Sequence, residues 1–577
     1  MERLPAPVEW LFGPEPADQR GHLWPRWLFL RGLGLIYFSA FYSLLFQVRG
    51  LIGPGGILPA GDYLREVAAH LGVTRIWYAP TLLWLGSGDH ALMAICWTGL
   101  VASVLLVANL WPRLALAVCF ITYLSFVSAA QEFSGYQSDG MLLAAGFLSL
   151  FFAPPGLRPR LGEEHRPSRA SLFLLQWLWL TIYFESGVAK WAGGDPEWRH
   201  LTALDQYYSN GPLPNWIGWY AQQLPHGFQA SVAFATLAIE LFLVWMLFLP
   251  RRFRLACFFL LSLFQVGIIL TANLAFLNHL VLLLGVLLLD DRALRRPMNW
   301  LQSKFEFRNW KLEIGKSKLE TRTSTLKLAD AGGVTRLPGS FDSVQADPHG
   351  EGQPSSTPAT PSSLATAFRA RLSLVGRRWS PLFSGFFLTW IFYDMTALLL
   401  MLAPALPLPD SPIAALEPFR IANQYGLFGS MTRERYEIEF QGSRDGKTWI
   451  AYPFRYKPQD PDQAPRIYAP YQPRFDWNLW FASLGRWRQS SIMVSTEIRL
   501  LENSPSVVSL FAANPFPAEP PREVRAVEWE YWFTDRATKR RTGAWWRRQY
   551  LGLYAPTLER ESDGKIMAVE MPEDDGQ

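Results

Sequence analysis

Apolar residues along this chain gather into long runs separated by short polar or Pro/Gly-containing connections. About 20 mostly apolar residues, at roughly 1.5 Å of rise each, are what a helix needs to cross the hydrocarbon of a bilayer. The runs Trp27–Val48, Ala91–Ala108, Leu114–Ala130, Asp139–Ala153, Ser171–Lys190, Ala230–Leu249, Arg254–Thr271, Asn273–Leu289 and Pro381–Leu402 fit that description. They predict a polytopic α-helical membrane bundle of about nine spans. The fourth run is short, and the seventh and eighth nearly touch. After residue 403 the period changes. The stretches 435–458 and 522–552 alternate apolar with polar residues around polar turns, one of them Ser443-Arg-Asp-Gly. Each reads as a β-hairpin, so a β-rich, sandwich-like soluble domain is expected at the C-terminus.

Between these parts lies a segment rich in Pro, Gly and Ser without periodic apolar positions, which reads as a disordered linker. The expected organisation is therefore a cytoplasmic N-terminus at 1–26, a bundle at 27–302, a cytoplasmic linker at 303–370, a last span at 371–403, and an extracytoplasmic domain at 404–577. No signal-peptide pattern precedes the first run, which begins too late and is too long.

Basic residues set the orientation. With the N-terminus inside, the inner loops carry Arg113, then Arg158, Arg160, Arg166 and Arg169, then Arg251 and Arg252. The outer loops carry Arg49, Arg65, Arg75 and Arg199. An odd number of spans places the tail outside. The net charge of +5 is spread along the chain rather than focused on one face, which argues against nucleic acid. Cys96, Cys119 and Cys257 all lie inside apolar runs without metal-ligand or CxxC spacing, so they read as buried small hydrophobes.

Ionisable residues at membrane depth are functional candidates because each is costly unless paired. The helix ending at Lys190 carries Glu185 and Lys190 close to the membrane boundary. They lie roughly 140° apart around the helix, so neither is the other's natural partner. Lys190 can snorkel to the interface, lock two helices together, or act chemically. Gln176, Glu240, Gln265, Asn273, Asn278, His279 and Asp394 are further polar groups within or beside the runs, and Asp139 opens the fourth. Interhelical hydrogen bonding accounts for Gln176, Gln265 and Asn273. His279 has no second His or Cys near it, so no metal is expected. Motifs for acyl transfer or nucleotide binding are missing, and no cofactor is expected. The outer loop with Tyr207, Tyr208 and Asn210, and the tail segment with Trp477 and Trp480, present aromatics between Pro, Gly and Asn. Such surfaces form interfacial belts or bind an apolar client.

Several of these stretches together resemble the lipase maturation factor family. The resemblance runs through Gln137-Ser-Asp, through Tyr183-FESGVAKW with Asp205-QYYSN, and through much of the tail. There it is carried by Tyr436-EIEFQGSRDGKTW, Ala469-PYQPRFDWNLWFASLG, Leu501-ENSP, Asn514-PFP and Thr542-GAWW. It implies a multi-pass membrane protein, in eukaryotes of the endoplasmic reticulum, that acts as a chaperone helping secreted lipases fold and assemble. Its partners would be an exported lipase or other client and membrane lipids, with Tyr207, Tyr208, Asn210, Trp477 and Trp480 as client-binding residues. The missing N-x-S/T sequons and the Arg-rich composition point to a bacterial inner-membrane member. The GVAKW motif at 187–191 also resembles the membrane helix of vitamin K-dependent gamma-carboxylases, which carries an important Lys matching Lys190. Where that family has a His, this chain has Asp139, and a carboxylate cannot act as an imidazole poised near neutral pH. Two readings follow. In one, Asp139 and Lys190 form an interhelix ion pair in a non-enzymatic maturation factor. In the other, Lys190 is the base of a membrane enzyme acting on a lipid or quinone-like substrate, with Asp139 or Glu185 as its partner.

Overall fold

A computed structural model describes residue 11, residues 21–297, 299–300, 384–402, 409 and 411–573. The chain divides into two compact units, one of Met1–Asp291 with Gly385–Gln577 and one of Arg292–Ser384. Of the second, residues 292–297 and 299–300 are helical, and the expected linker at 303–370 lies outside the described residues. The first unit holds the helical bundle and the tail.

Its helices follow the apolar runs. They are α1 (Leu23–Leu45), α2 (Asp89–Val107), α3 (Pro112–Val127), α4 (Gln137–Phe152), α5 (Arg169–Ala192), α6 (Trp216–Gln222), α7 (His226–Leu241), α8 (Arg251–Thr271) and α9 (Leu277–Gly285). A further apolar helix, α10, covers Ser384–Leu400. Among the described residues, only α1, α2, α5 and α8 are both long and apolar enough to cross a membrane. The count of about nine spans is thus not reproduced, although each predicted run falls on a helix. The reason is length. The sixth run breaks at Phe242, whose non-helical backbone separates α7 from a 3-10 turn at Leu243–Phe248. Helices α3, α4 and the stretch 277–288 are likewise shorter than a span.

Close approach and polar bonding hold the helices together. A Cβ on Gly34 of α1 would stand 2.8 Å from Val107 at the end of α2, so only a hydrogen there lets the two helices touch. Tyr37 and Phe41 of α1 meet the Tyr123 ring of α3 edge-on. Gln176 donates to the Leu287 carbonyl at 2.8 Å, and Gln265 donates to the Tyr183 hydroxyl at 2.8 Å while accepting from Asn278 at 2.7 Å. The three cysteines are buried and free, as their apolar surroundings foretell.

The tail forms one antiparallel sheet of five strands, in the order β2-β1-β3-β4-β5. These are β1 (Arg435–Ser443), β2 (Ile450–Ala451), β3 (Glu523–Phe533), β4 (Trp546–Arg560) and β5 (Ile566–Glu570). Both predicted hairpins are present, β1 with β2 and β3 with β4. The expected sandwich is not. Helices take the place of a second sheet, because the segment between the hairpins has helical spacing. In α12 (Ser491–Leu501) the buried positions Ile492, Met493, Thr496, Leu500 and Leu501 share one face, which packs on β3 and β4. The helix α11 (Arg474–Ala482) packs on β1.

Tail and bundle share one core. A single cluster of buried apolar side chains runs from α1 through α5 and α9 into Ile438, Phe440, Phe475 and Phe511 of the tail. The tail contacts the ends of α1, α5 and α8 and the starts of α4 and α9, which is one end of an up-and-down bundle. Gln47, Asp139, Lys190 and Asn273 all bond tail residues there. Asn273, expected to join helices, serves the tail instead.

Asp476 on α11 is fully enclosed by this packing and accepts the Tyr456 and Lys457 amides at 3.2 Å each. Burial raises its carboxyl to about 6, with those amides opposing the rise. The folded state therefore favours the protonated acid. Its contribution to stability is complete below about pH 4 and is lost as pH rises through about 6, a change of about 3 kcal/mol. Asp476→Asn is expected to remove that part of the slope when unfolding midpoints of the full chain are followed from pH 4 to 7. An unchanged slope would show that Asp476 does not titrate in this window.

Candidate functional site

Helix α5 begins at Ser168, whose hydroxyl accepts the Ser171 amide, and ends at Gly193. Its last turns place Glu185, Ser186 and Lys190, all buried, against the backbone of residues 423–433. That segment is a strap laid across the end of the bundle. The Glu185 carboxylate accepts the Tyr425 amide at 2.5 Å, and the Ser186 hydroxyl accepts the Leu427 amide at 3.2 Å. Lys190 donates to the Leu427 carbonyl at 2.8 Å. Gln137 accepts from Gly426, Trp198 donates to Phe428, Asp195 accepts from Met431, and Asn210 donates to Thr432 and Arg433. Gly429 lies so near Ala189 that an added Cβ would come within 3.1 Å of it.

The charged partners differ from the expected pair. Lys190 Nζ is 2.8 Å from Oε2 and 3.0 Å from Oε1 of Glu240 on α7. Gly187 permits this, since a Cβ there would stand 2.9 Å from the Glu240 Cβ and hold α7 off. Asp139 pairs instead with Arg474, the first residue of α11, in a two-pronged contact of 2.7 and 2.8 Å. Arg474 also donates to the Phe133 carbonyl at 2.7 Å and the Tyr123 hydroxyl at 2.9 Å, and Tyr123 donates to Asp139 at 2.6 Å. The Asp139–Lys190 ion pair is therefore not formed, and two separate buried pairs replace it. Sequence reasoning overlooked Arg474. Its signal was a guanidinium set among the aromatics of RFDWNLWF, a position that demands a buried carboxylate.

This arrangement bears on the chemistry. The Lys190 ammonium faces two carboxylate oxygens and a carbonyl and is 3% exposed. So held, Lys190 ties α5 to α7 and to the strap.

Next to the strap lies a cavity of about 440 Å³ between the bundle end and the tail. Its wall brings together Tyr207, Asn210, Trp477 and Trp480 from the sequence expectation, with Phe428, Phe481, Leu274 and Leu277. Tyr208 lines a smaller neighbouring void with Tyr207, Pro212 and Thr271. On the rim, Phe481 and Leu484 are exposed. The site is thus mainly apolar and aromatic, with few polar groups, as binding cavities of this size commonly are.

Removing one partner of a buried ion pair leaves an unpaired charge and costs about 3–5 kcal/mol, whereas replacing both by apolar residues is far milder. Asp139→Leu and Arg474→Met are each expected to lower the unfolding midpoint and cellular abundance sharply, and the double variant is expected to recover most of the loss. Additive losses in the double variant would mean the two side chains do not interact.

The chain matches the model of the lipase maturation factor transmembrane domain over residues 24–296 and that of the lipase maturation factor C-terminal domain over 421–556. It is 34% identical to lipase maturation factor 2 of Gallus gallus over 585 residues, covering 92% of this chain and 81% of that protein. It is 30% identical to lipase maturation factor 1 of Bos taurus, covering 95% of this chain and 91% of that protein. Identity to lipase maturation factor 2 of Homo sapiens is 31%, over 92% of this chain and 82% of the relative. No solved structure matches. Both matched regions carry the residues described above, from Asp139 and Lys190 to Arg474, and the chain belongs to the lipase maturation factor family.

Proposed function

We propose that this protein is a membrane-embedded maturation factor that assists the folding and assembly of exported proteins, lipases among them, with the cavity between bundle and tail as its client surface. The single observation that carries this reading is the convergence of Tyr207, Asn210, Trp477 and Trp480 on one aromatic cavity with an exposed apolar rim. Aromatic side chains bury much apolar area at little entropic cost, which suits the capture of an incompletely folded chain. The relatives' names supply lipases as the client class.

In this reading the N-terminus is cytoplasmic, and the tail lies on the exported side. That side is the periplasmic face of a bacterial inner membrane, or the lumenal face where the membrane is that of the endoplasmic reticulum. The basic loops Arg113, Arg158–Arg169 and Arg251–Arg252 lie at the bundle end away from the tail, in keeping with that orientation. The enzyme reading has no comparable support, because Lys190 is closed in by Glu240 and the strap.

Trp480 and Phe481 form part of the cavity wall, and Phe481 is exposed, so their truncation is expected to spare the fold. Trp480→Ala/Phe481→Ala is expected to leave the abundance of this protein unchanged and to cut active secreted lipase at least about fivefold, the scale of losing one or two apolar anchors. A photo-crosslinking residue at 480 is expected to trap an exported protein in intact cells. Full lipase output from the double variant, together with no trapped client, would refute the client role.

A further inference from the structure

A strongly charged patch lies away from the cavity, on the connection between β3 and β4. It is built on the short helix α13 (Arg536–Thr542), closed at its start by Asp535, which accepts the Thr538 amide at 2.6 Å. The stretch 535–548 carries the cations Arg536, Lys539, Arg540, Arg541, Arg547 and Arg548 and one carboxylate, Asp535, while Arg548 lies 3.7 Å from Glu439 of β1. Arg536, Arg540, Arg541 and Arg547 are exposed. Among facing carboxylates, Asp535 feels Arg541 and Glu530 feels Arg547. So many like charges on one short connection are held together against their own repulsion, which favours a polyanionic partner.

Its position identifies that partner. Thr534 accepts a hydrogen bond from Gln223 at 3.2 Å, and Trp545 packs edge-on against Trp219 of α6, with ring centres 5.3 Å apart. Lys539 lies 3.4 Å above the Trp545 ring. Helix α6 in turn caps the end of α8, because Asn215 donates to the Leu270 carbonyl at 3.1 Å. Helix α8 has the length and composition to cross a membrane, and only 17% of its most apolar window is buried within the protein, so its surface is left for lipid. Around this junction Trp216, Tyr220, Leu224 and Phe228 are exposed. Exposed aromatics at the end of a lipid-facing helix mark the headgroup level, and the arginine cluster stands directly beside them.

We propose that the β3–β4 connection is a clamp for anionic phospholipid headgroups in the leaflet that adjoins the tail, with Arg536, Arg540 and Arg541 as its phosphate-facing groups. The clamp fixes the outer edge of the sheet to the bilayer next to α6 and α8. It does not depend on the identity of any client.

The test uses the full chain in neutral detergent, with phosphatidylglycerol or phosphatidylcholine added and bound lipid counted by native mass spectrometry. The protein is expected to retain phosphatidylglycerol at least about tenfold better than phosphatidylcholine, each nearby cation adding to the attraction. The preference is expected to shrink in about 0.3 M salt, where screening is strong. Arg536→Gln/Arg540→Gln/Arg541→Gln is expected to abolish the preference, and Arg536→Lys/Arg540→Lys/Arg541→Lys to retain it. Arg158→Gln/Arg160→Gln, at the opposite end of the bundle, is expected to leave it unchanged. An unaltered unfolding midpoint of the Gln variant is expected to accompany its loss of lipid. The proposal is overturned if the Gln variant keeps the preference, if the Arg158/Arg160 variant loses it equally, or if the Gln variant loses lipid only by unfolding. It is also overturned if inorganic phosphate at millimolar concentration displaces the lipid fully, or if the Gln variant loses an exported client while keeping the lipid.

Discussion

A guanidinium or carboxylate withdrawn from water must find its complement, and for Asp139 and Arg474 that complement lies across the junction between bundle and tail. Asp139 lies in the first turn of α4 in the bundle, and Arg474 opens α11 in the tail. Each is buried, and Tyr123 and the Phe133 carbonyl complete the network around the pair. Neither part can present its charge alone without a penalty of several kcal/mol. The same rule governs contacts to the backbone. Gln47, Asn273, Glu185 and Ser186 satisfy backbone groups of the tail and strap that the helices have displaced from water.

The cavity is a consequence of that docking. Its wall takes Tyr136, Gln137 and Ser138 from the start of α4, Tyr207 and Asn210 from the loop after α5, Gly426 to Thr432 from the strap, and Trp477 and Trp480 from α11. No one of these elements forms it alone. Lys190 and Glu185, which look catalytic in isolation, position the strap that makes one side of the wall. A site assembled from the bundle end and the tail exists only while the two are docked.

Local pattern made much of this legible. The apolar runs found the helices, and alternation found the hairpins around Ser443–Gly446 and between β3 and β4, because periodicity is a property of neighbouring residues. The polar residues at the end of α5 stood out because hydrocarbon penalises them. What stayed hidden was non-local. Nothing in the spacing of Asp139 points to a guanidinium 335 residues later. Glu240 was visible as a polar residue in its run, but that it reaches Lys190 depends on Gly187 bringing α7 close. The helix α12, which covers the sheet in place of a second sheet, carries its apolar face on a stretch too short to dominate the reading of its flanking strands.

Bundle and tail form one cooperative body joined by buried polar contacts, and amide hydrogen exchange on the full chain measures that cooperativity. The amides of Tyr425, Leu427, Tyr468, Ala469 and Arg474 bond to Glu185, Ser186, Asn273 and Gln47 side chains of the bundle. These five are expected to exchange as slowly as amides in the middle of α5, opening only when the whole body opens. If they exchange rapidly while the interior of α5 stays protected, the tail moves independently of the bundle and the two are not one cooperative body.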